Sequence, residues 1–272
     1  MALSATQLQQ FQKDGYLVVP SVVPRDLCQA VIGEIVDYCG VDLDVEDTWY
    51  NRRYAGHGIV PLHHGQAMWD LRQYPAVYEV FRVLYGRDDL WVSMDRVSYK
   101  PPVSERSKDW SEAGVHWDAD PWSNNGLGIQ GLVYLTDTAE DQGAFCCVPD
   151  IYRGLDEYRL EHERDEHRLR PVYDRSMIKA VGGPAGSLVV FNRLMPHSSL
   201  LNQSASHRFV QYVAMTTAGV DAAREQRVKE WQDKMPPAWA IRQQVPGQEI
   251  PEPGDRACLS ALGRKLVGVD RW

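Results

Sequence analysis

The 272-residue sequence predicts a mainly β chain with flanking helices, its strands forming an antiparallel double-sheet barrel. Five runs carry this: Trp91–Tyr99, Gly128–Thr136, Gly143–Val148, Gly186–Phe191 and Arg208–Met215. Each is rich in Val, Leu, Tyr or Phe, side chains that suit a pleated, half-buried surface. Most are bounded by Gly, Pro, Asn or Asp, which turn the chain. Helical patterns fall before and after these runs. The interior of such a barrel suits a ligand site.

In chain order, Ser4 is placed to cap a helix running to about Lys13, with Gly15 marking its end. Tyr16–Val19 reads as a strand. Pro24 starts a second helix, in which Leu27, Val31, Ile32 and Ile35 form one apolar stripe. Trp69–Tyr85 reads as a further helical stretch. Residues 154–170 are densely charged and read as a solvated helix or loop despite His162 and His167. Asp221–Lys234 is a polar helix with Asp221 as its cap and Pro236-Pro237 as its stop. Pro246–Gly254 reads as a surface connection to a short amphipathic end, Leu259–Trp272. The expected organisation is one domain: a helical N-terminal region over 1–90, a β core of about 91–216 and a helical extension over 217–272.

Composition excludes several functions. The formal net charge is -8 with 44% apolar residues. No dense Lys/Arg run offers a phosphate-backbone interface, so nucleic acid is not expected as a partner. No apolar run approaches the ~18 residues that span a bilayer, and the Met1–Thr6 start does not read as a signal peptide. Five cysteines, an odd number, do not suggest a disulfide framework. A reducing compartment, the cytoplasm, is expected.

The chemistry concentrates in Val115-His116-Trp117-Asp118, read with His197 and Arg208. On a strand, His-x-Asp puts an imidazole and a carboxylate on one face and Trp117 on the other. A second imidazole from a distant strand, best supplied by His197, completes two His and one carboxylate on one side of a metal. That set leaves coordination positions open and matches non-haem Fe(II) oxygenases. Arg208 opens an apolar strand with Val210, Tyr212 and Ala214 on its face. A guanidinium turned into a barrel is costly unless paired, and no acid near it in sequence supplies the pair. A dicarboxylate cosubstrate would, through a forked contact that lysine cannot reproduce. His63 and His64 read as structural or surface residues, His207 as facing away from Arg208's side, and His57 without a role.

From His197 the chain reads HSSLLNQSASHR, giving His197, Ser199, Asn202, Ser204 and Arg208. This resembles the His-x-Ser-x-x-Asn-x-Ser-x-x-x-Arg pattern of the phytanoyl-CoA dioxygenase (PhyH) family. Phe11–Pro20 is similar to that family's entry from helix to strand, and Asp141–Asp150 to its Asn-Gly…Pro-Gly-Ser-His segment. The departures are Gln142 for Asn, and Asp150-Ile151-Tyr152 where Gly-Ser-His is usual. The resemblance implies a double-stranded β-helix of eight strands (a cupin-like jelly roll), with Fe(II) held by His116, Asp118 and His197. It implies 2-oxoglutarate held by Arg208 and by the Ser199 hydroxyl, and O2 as oxidant, with release of succinate and CO2. Asp118, at a position occupied by a small residue in related halogenases, makes hydroxylation the expected outcome. The substrate is expected to be a small natural-product or lipid-like molecule, with Trp49, Tyr50, Trp117, Trp122 and Tyr134 near plausible pocket walls. Two other classes remain open at this point: a ligand-binding barrel without turnover, and a Zn-dependent hydrolase or isomerase using the same ligands.

Overall fold

The computed structural model describes residues 3–51, 53, 56–108, 110, 112–123, 126–162, 169–243 and 254–272. The chain enters through α1 (Ala5–Asp14), β1 (Tyr16–Val19) and α2 (Arg25–Cys39). Next come β2 (Ile59–Val60), α3 (Gln66–Arg72), α4 (Pro75–Tyr85), β3 (Leu90–Val92), β4 (Val97–Lys100) and β5 (Ile129–Tyr134). β6 (Phe145–Cys147) leads into α5 (Pro149–Arg153) and α6 (Leu155–Glu161). The chain then runs through β7 (Lys179–Val181), β8 (Leu188–Asn192), β9 (His197–Ser199), β10 (Arg208–Tyr212) and β11 (Met215–Thr217). It closes with α7 (Asp221–Gln232), α8 (Ala238–Arg242) and α9 (Ala261–Val267).

The strands form two antiparallel sheets. The larger has the order β1-β8-β5-β10-β4-β2, with β11 joined to β3 and β5. The smaller has the order β7-β6-β9 and is extended by an isolated bridge from His116 to His197. Side-chain alternation sorts the larger sheet into two faces. Leu132, Tyr134, Val189, Phe191 and Val210 point inward and pack with Phe145, Cys147 and Val181 of the smaller sheet. Val97, Tyr99, Val133, Leu188, Val190 and Phe209 point outward and pack against α2, α3 and α4 through Val31, Ile35, Met68, Trp69, Val80 and Phe81. The helices therefore cover one face, and the inner face is left to the site.

Local chemistry explains the entry segment. Ser4 and Gln7 form a reciprocal capping box at α1, and Gly15 ends the helix at φ 74°. Gly186, at φ 82°, takes the amides of Val22 and Val23 on its carbonyl, and a Cβ there would lie 2.0 Å from the Val23 oxygen. Only glycine lets the entry segment press on the strand that follows Gly186. The first turn of α3 has no cap from its own chain end. Instead the half-buried Glu34 carboxylate of α2 accepts from the amides of Ala67 and Met68 at 2.8 and 3.2 Å.

Several expectations need correction. The helical stretch 69–85 is two helices, because Pro75 cannot continue the first and instead opens the second. The run 91–99 is two strands separated at 93–96, and 208–215 breaks after Tyr212. Val220 rather than Asp221 occupies the cap position of α7, and that helix stops at Gln232, before Pro236-Pro237. His116 and Asp118 do not share a regular strand; His116 makes one bridge and Asp118 sits in a bend. His167 and most of the Pro246–Gly254 connection lie outside the described residues. Among the described residues, no helix is long and apolar enough to cross a membrane.

Candidate metal and cosubstrate site

The bridge is reciprocal: His116 N donates to His197 O at 3.0 Å, and His197 N to His116 O at 2.9 Å. Paired residues on adjacent antiparallel segments point to the same side. That places the two imidazoles side by side, with ring centroids 4.7 Å apart. Trp117 takes the opposite direction, donating from its indole to Leu194 O at 2.8 Å and packing with Trp122 and Tyr158. It anchors the ligand-bearing segment from behind and does not line the site.

Both histidines are tied by the same device. Nδ1 of His116 lies 3.0 Å from Gly114 O, and Nδ1 of His197 lies 3.0 Å from Met195 O. A ring nitrogen facing a carbonyl carries the proton, so Nε2 is left with its lone pair in both rings. Asp118 faces the two Nε2 atoms, Oδ1 at 3.6 Å from His116 and Oδ2 at 3.4 Å from His197. One ligand atom from each of the three residues lies within 4.8 Å of the other two, a spacing that one metal ion can bridge. Side-chain exposure is 10% at His197, 29% at His116 and 40% at Asp118, so the group opens to solvent on the carboxylate side.

The electrostatics suit a cation. Burial alone would raise the Asp118 carboxyl. The two neighbouring rings, His197 before His116, and the amide hydrogen bond from Gln130 outweigh it and hold the group well below the usual carboxylate range. Burial first, and then the neighbouring His197 ring, push the His116 imidazole below its ordinary value. An ionised carboxylate beside neutral imidazole is the protonation state that metal binding needs.

Deeper along the inner face lies a second group. Arg208 is fully buried, and its Nη1 donates to Ser98 Oγ at 2.8 Å. Among the described residues its Nε and Nη2 have no hydrogen-bond partner, and no carboxylate pairs with it. Those two nitrogens form one edge of the guanidinium, the edge that a carboxylate meets with two parallel bonds. The guanidinium carbon lies 5.9 Å from the Tyr134 ring. Tyr134 stands four residues along β5 from Gln130, which touches Asp118, or about 13 Å of strand.

Lys100 escaped the sequence reading. It is the cross-strand partner of Arg208, and burial and then the Arg208 charge push its ammonium down to about 7. Its Nζ donates to Ser199 Oγ at 2.8 Å and to Leu200 O at 2.6 Å. Ser199 shares the inward face with His197 and, having accepted from Lys100, keeps its hydroxyl proton to donate. Gln130 also went unnoticed; its Nε2 donates to Asp118 Oδ2 at 2.6 Å. In the sequence Gln130 is an isolated polar residue in an apolar run, and Lys100 one of several polar residues before Pro101-Pro102. Only the cross-strand register brings them to the site.

The remaining motif residues are structural. Asn202 donates to Lys100 O and Ser206 O and accepts from Ser204 Oγ, which shapes the turn between β9 and β10. Gln142 donates to His207 O, and the departure at Asp150 forms the first turn of α5. His63 is buried with Nδ1 on Met94 O, and His64 contacts Met235 O and Trp69. His207 packs edge-on against Trp49. His57 is part-buried and shifted down by burial and then by the Lys100 charge. Of the aromatics named as pocket walls, Tyr134 alone belongs to the cluster between the sheets.

A family model described as phytanoyl-CoA dioxygenase (PhyH) matches residues 11–210, most of the chain and every site residue above. The chain belongs to the PhyH family. Its cofactors are Fe(II), 2-oxoglutarate and O2, and the two-imidazole, one-carboxylate donor set and the open guanidinium edge fit them. A Dictyostelium discoideum protein named for phytanoyl-CoA dioxygenase is 25% identical, over 80% of this chain and 77% of that one. An ectoine dioxygenase of Halomonas elongata is 23% identical, over 76% of this chain and 68% of that one. The epimerase SnoN, solved with Fe3+, α-ketoglutarate and nogalamycin RO, superposes with a TM-score of 0.60. The alignment covers 94% of this chain and 95% of that one at 17% identity, so this likeness is one of fold.

Proposed function

We propose that this protein is a dioxygenase that hydroxylates a small organic substrate, with His116, Asp118 and His197 as the iron ligands. Arg208, Ser199 and Lys100 are the anchors of 2-oxoglutarate in this reading. One observation carries it: three converging ligand atoms and the unpartnered edge of a buried arginine lie on the same inner face. When bound, Fe(II) with 2-oxoglutarate and O2 supplies an oxidation of a substrate C–H coupled to release of succinate and CO2.

The residues divide the remaining work. Gly114 O and Met195 O fix the imidazole tautomers, so that Nε2 of each ring is presented without rearrangement. Asp118 supplies the charge and, being a carboxylate, fills a position that a small residue would leave to halide; hydroxylation is the outcome this favours. Arg208 presents Nε and Nη2 to the far carboxylate of the cosubstrate, and the Ser199 hydroxyl and Lys100 ammonium complete its cradle. Leu132, Tyr134, Phe145, Phe191 and Val210 keep water from this pocket. The two sheets, with β4, the His116 segment, β5, β6, β7, β8, β9 and β10 as their core, are read as the eight strands of a double-stranded β-helix, a cupin-like jelly roll. Residues 1–90, about 91–216 and 217–272 are read as regions of one domain. Five free thiols, four of them buried, suit a cytoplasmic setting.

The Zn alternative is less favoured because a structural zinc site takes four protein ligands, and three converge among the described residues. A non-catalytic barrel gives the open edge of Arg208 no task. Metal-free protein given Fe(II) and 2-oxoglutarate without oxygen is expected to develop a weak visible charge-transfer band. Admitting oxygen and a substrate panel should then release succinate. Full metal loading with no band returns the binding-barrel reading.

A further inference from the structure

We propose that Gln130 is a positioning residue for Asp118, holding the carboxylate in its metal-facing orientation at a cost to the stability of the fold. The proposal rests on the metal-site reading above and concerns a residue that reading does not require.

The three ligands are not held alike. Each imidazole is fixed by a backbone carbonyl two residues before it, and their backbones are fixed to each other by the reciprocal bridge. Asp118 has neither support. It sits in a bend, its side chain is 40% exposed, and an aspartate in that setting can turn its carboxylate into water. Among the described residues, the side chain that donates to it is Gln130, at 2.6 Å on Oδ2. Gln130 can do so from a position on β5 that is paired with β8. It stands opposite Phe191 in the register with β8, and the Phe191 ring lies 4.5 Å from that of His197. The amide therefore references the carboxylate to the same wall that one of the imidazoles packs against. With Oδ2 engaged by the amide, Oδ1 keeps its lone pairs for a cation.

The other end of the same amide makes the case for function over stability. Gln130 Oε1 is buried and accepts no hydrogen bond from the described residues. A buried acceptor without a donor costs folding free energy, and an apolar side chain of similar length would avoid that cost. Turning the amide over does not help, because Oε1 would then face Asp118 Oδ2 oxygen to oxygen. The strain is thus tied to the orientation that serves the carboxylate.

The test compares wild type with Gln130→Leu and Gln130→Met, two side chains of similar size without an N–H. The melting temperature of each metal-free protein is measured first. Fe(II) is then titrated without oxygen at saturating 2-oxoglutarate, following the visible band. The expected result is iron affinity about 10- to 100-fold weaker in both variants, the range for loss of an outer partner of a ligand. The melting temperature should equal or exceed that of wild type. Iron affinity within twofold of wild type in both variants overturns the role of Gln130 and leaves the metal site standing. Weaker iron binding that merely tracks a lower melting temperature also overturns it. A wild-type protein that takes up no iron overturns the site itself, and this role with it.

Discussion

Arg208→Lys isolates what the buried guanidinium does. In the structure one of its three nitrogens is used, on Ser98 Oγ at 2.8 Å, and Nε and Nη2 are idle. A carboxylate meeting that edge gains two parallel charge-assisted bonds and relieves two unsatisfied donors at once. Lysine keeps the charge but has no planar fork, and in this pocket it would add a second ammonium beside Lys100. Loss of a charge-assisted contact whose partner charge stays buried costs about 2–5 kcal/mol, or on the order of 30-fold or more in affinity. The assay is calorimetric titration of 2-oxoglutarate into anaerobic, iron-loaded protein, with iron content measured separately. Iron affinity should be unchanged, since Arg208 and Asp118 contact residues about 13 Å apart along β5. Melting temperature without 2-oxoglutarate is measured alongside, because the substitution exchanges one buried, poorly partnered cation for another. If Arg208→Lys binds 2-oxoglutarate within threefold of wild type, Arg208 is not the anchor and the preference for an oxygenase over a binding barrel weakens with it.

Other outcomes follow from the same geometry. His116→Ala and His197→Ala should each abolish iron-dependent succinate release while circular dichroism and melting stay near wild type; full turnover in His197→Ala would contradict the ligand set. Ser199→Ala should weaken 2-oxoglutarate binding by about 1 kcal/mol, the worth of one neutral donor, and a loss as large as that of Arg208→Lys would mean the turn had collapsed. Lys100, at about 7 without an anion, should be drawn to its charged form by a carboxylate, so binding above neutral pH takes up a proton and weakens as pH rises. Calorimetry in two buffers of different ionisation enthalpy checks this, and equal heats would refute it. His63 and His64 are pushed by burial to about 3 and about 4. Between pH 6.5 and those values the unfolded chain binds protons that the folded one refuses, so stability drops as pH falls, at about 1.4 kcal/mol per unit for each histidine. His63→Phe should flatten the slope of denaturation free energy against pH over that window.

The features legible in the sequence were those written in local spacing. Ser4, Gly15 and Pro24 delimit their elements because capping and turning are decided within a few residues. His116, Asp118, His197 and Arg208 stand out through the His-x-Asp spacing and the HSSLLNQSASHR run, although Asp118 does not lie on the strand that the spacing suggests. Errors came where a local signal was outweighed. Pro75 divides a stretch whose apolar periodicity looks continuous, and Asp118 leaves the strand just ahead of the Asp120-Pro121 turn. What stayed hidden was set by register. Lys100 joins the site because it pairs with Arg208, far along the chain, and Gln130 because β5 lies under the His116 segment. No pattern within a single strand announces either. The buried guanidinium shows the opposite case: an arginine at the head of an apolar strand, with no acid near it in sequence, is found buried with Nε and Nη2 unpartnered among the described residues.

Iron-edge anomalous diffraction from crystals grown without oxygen in Fe(II) and 2-oxoglutarate would decide the matter. One iron should lie within bonding distance of Nε2 of His116, Nε2 of His197 and a carboxylate oxygen of Asp118. The far carboxylate of 2-oxoglutarate should lie on Nε and Nη2 of Arg208. An iron held by other residues, or a 2-oxoglutarate whose far end leaves that edge of Arg208 empty, would contradict the assignment.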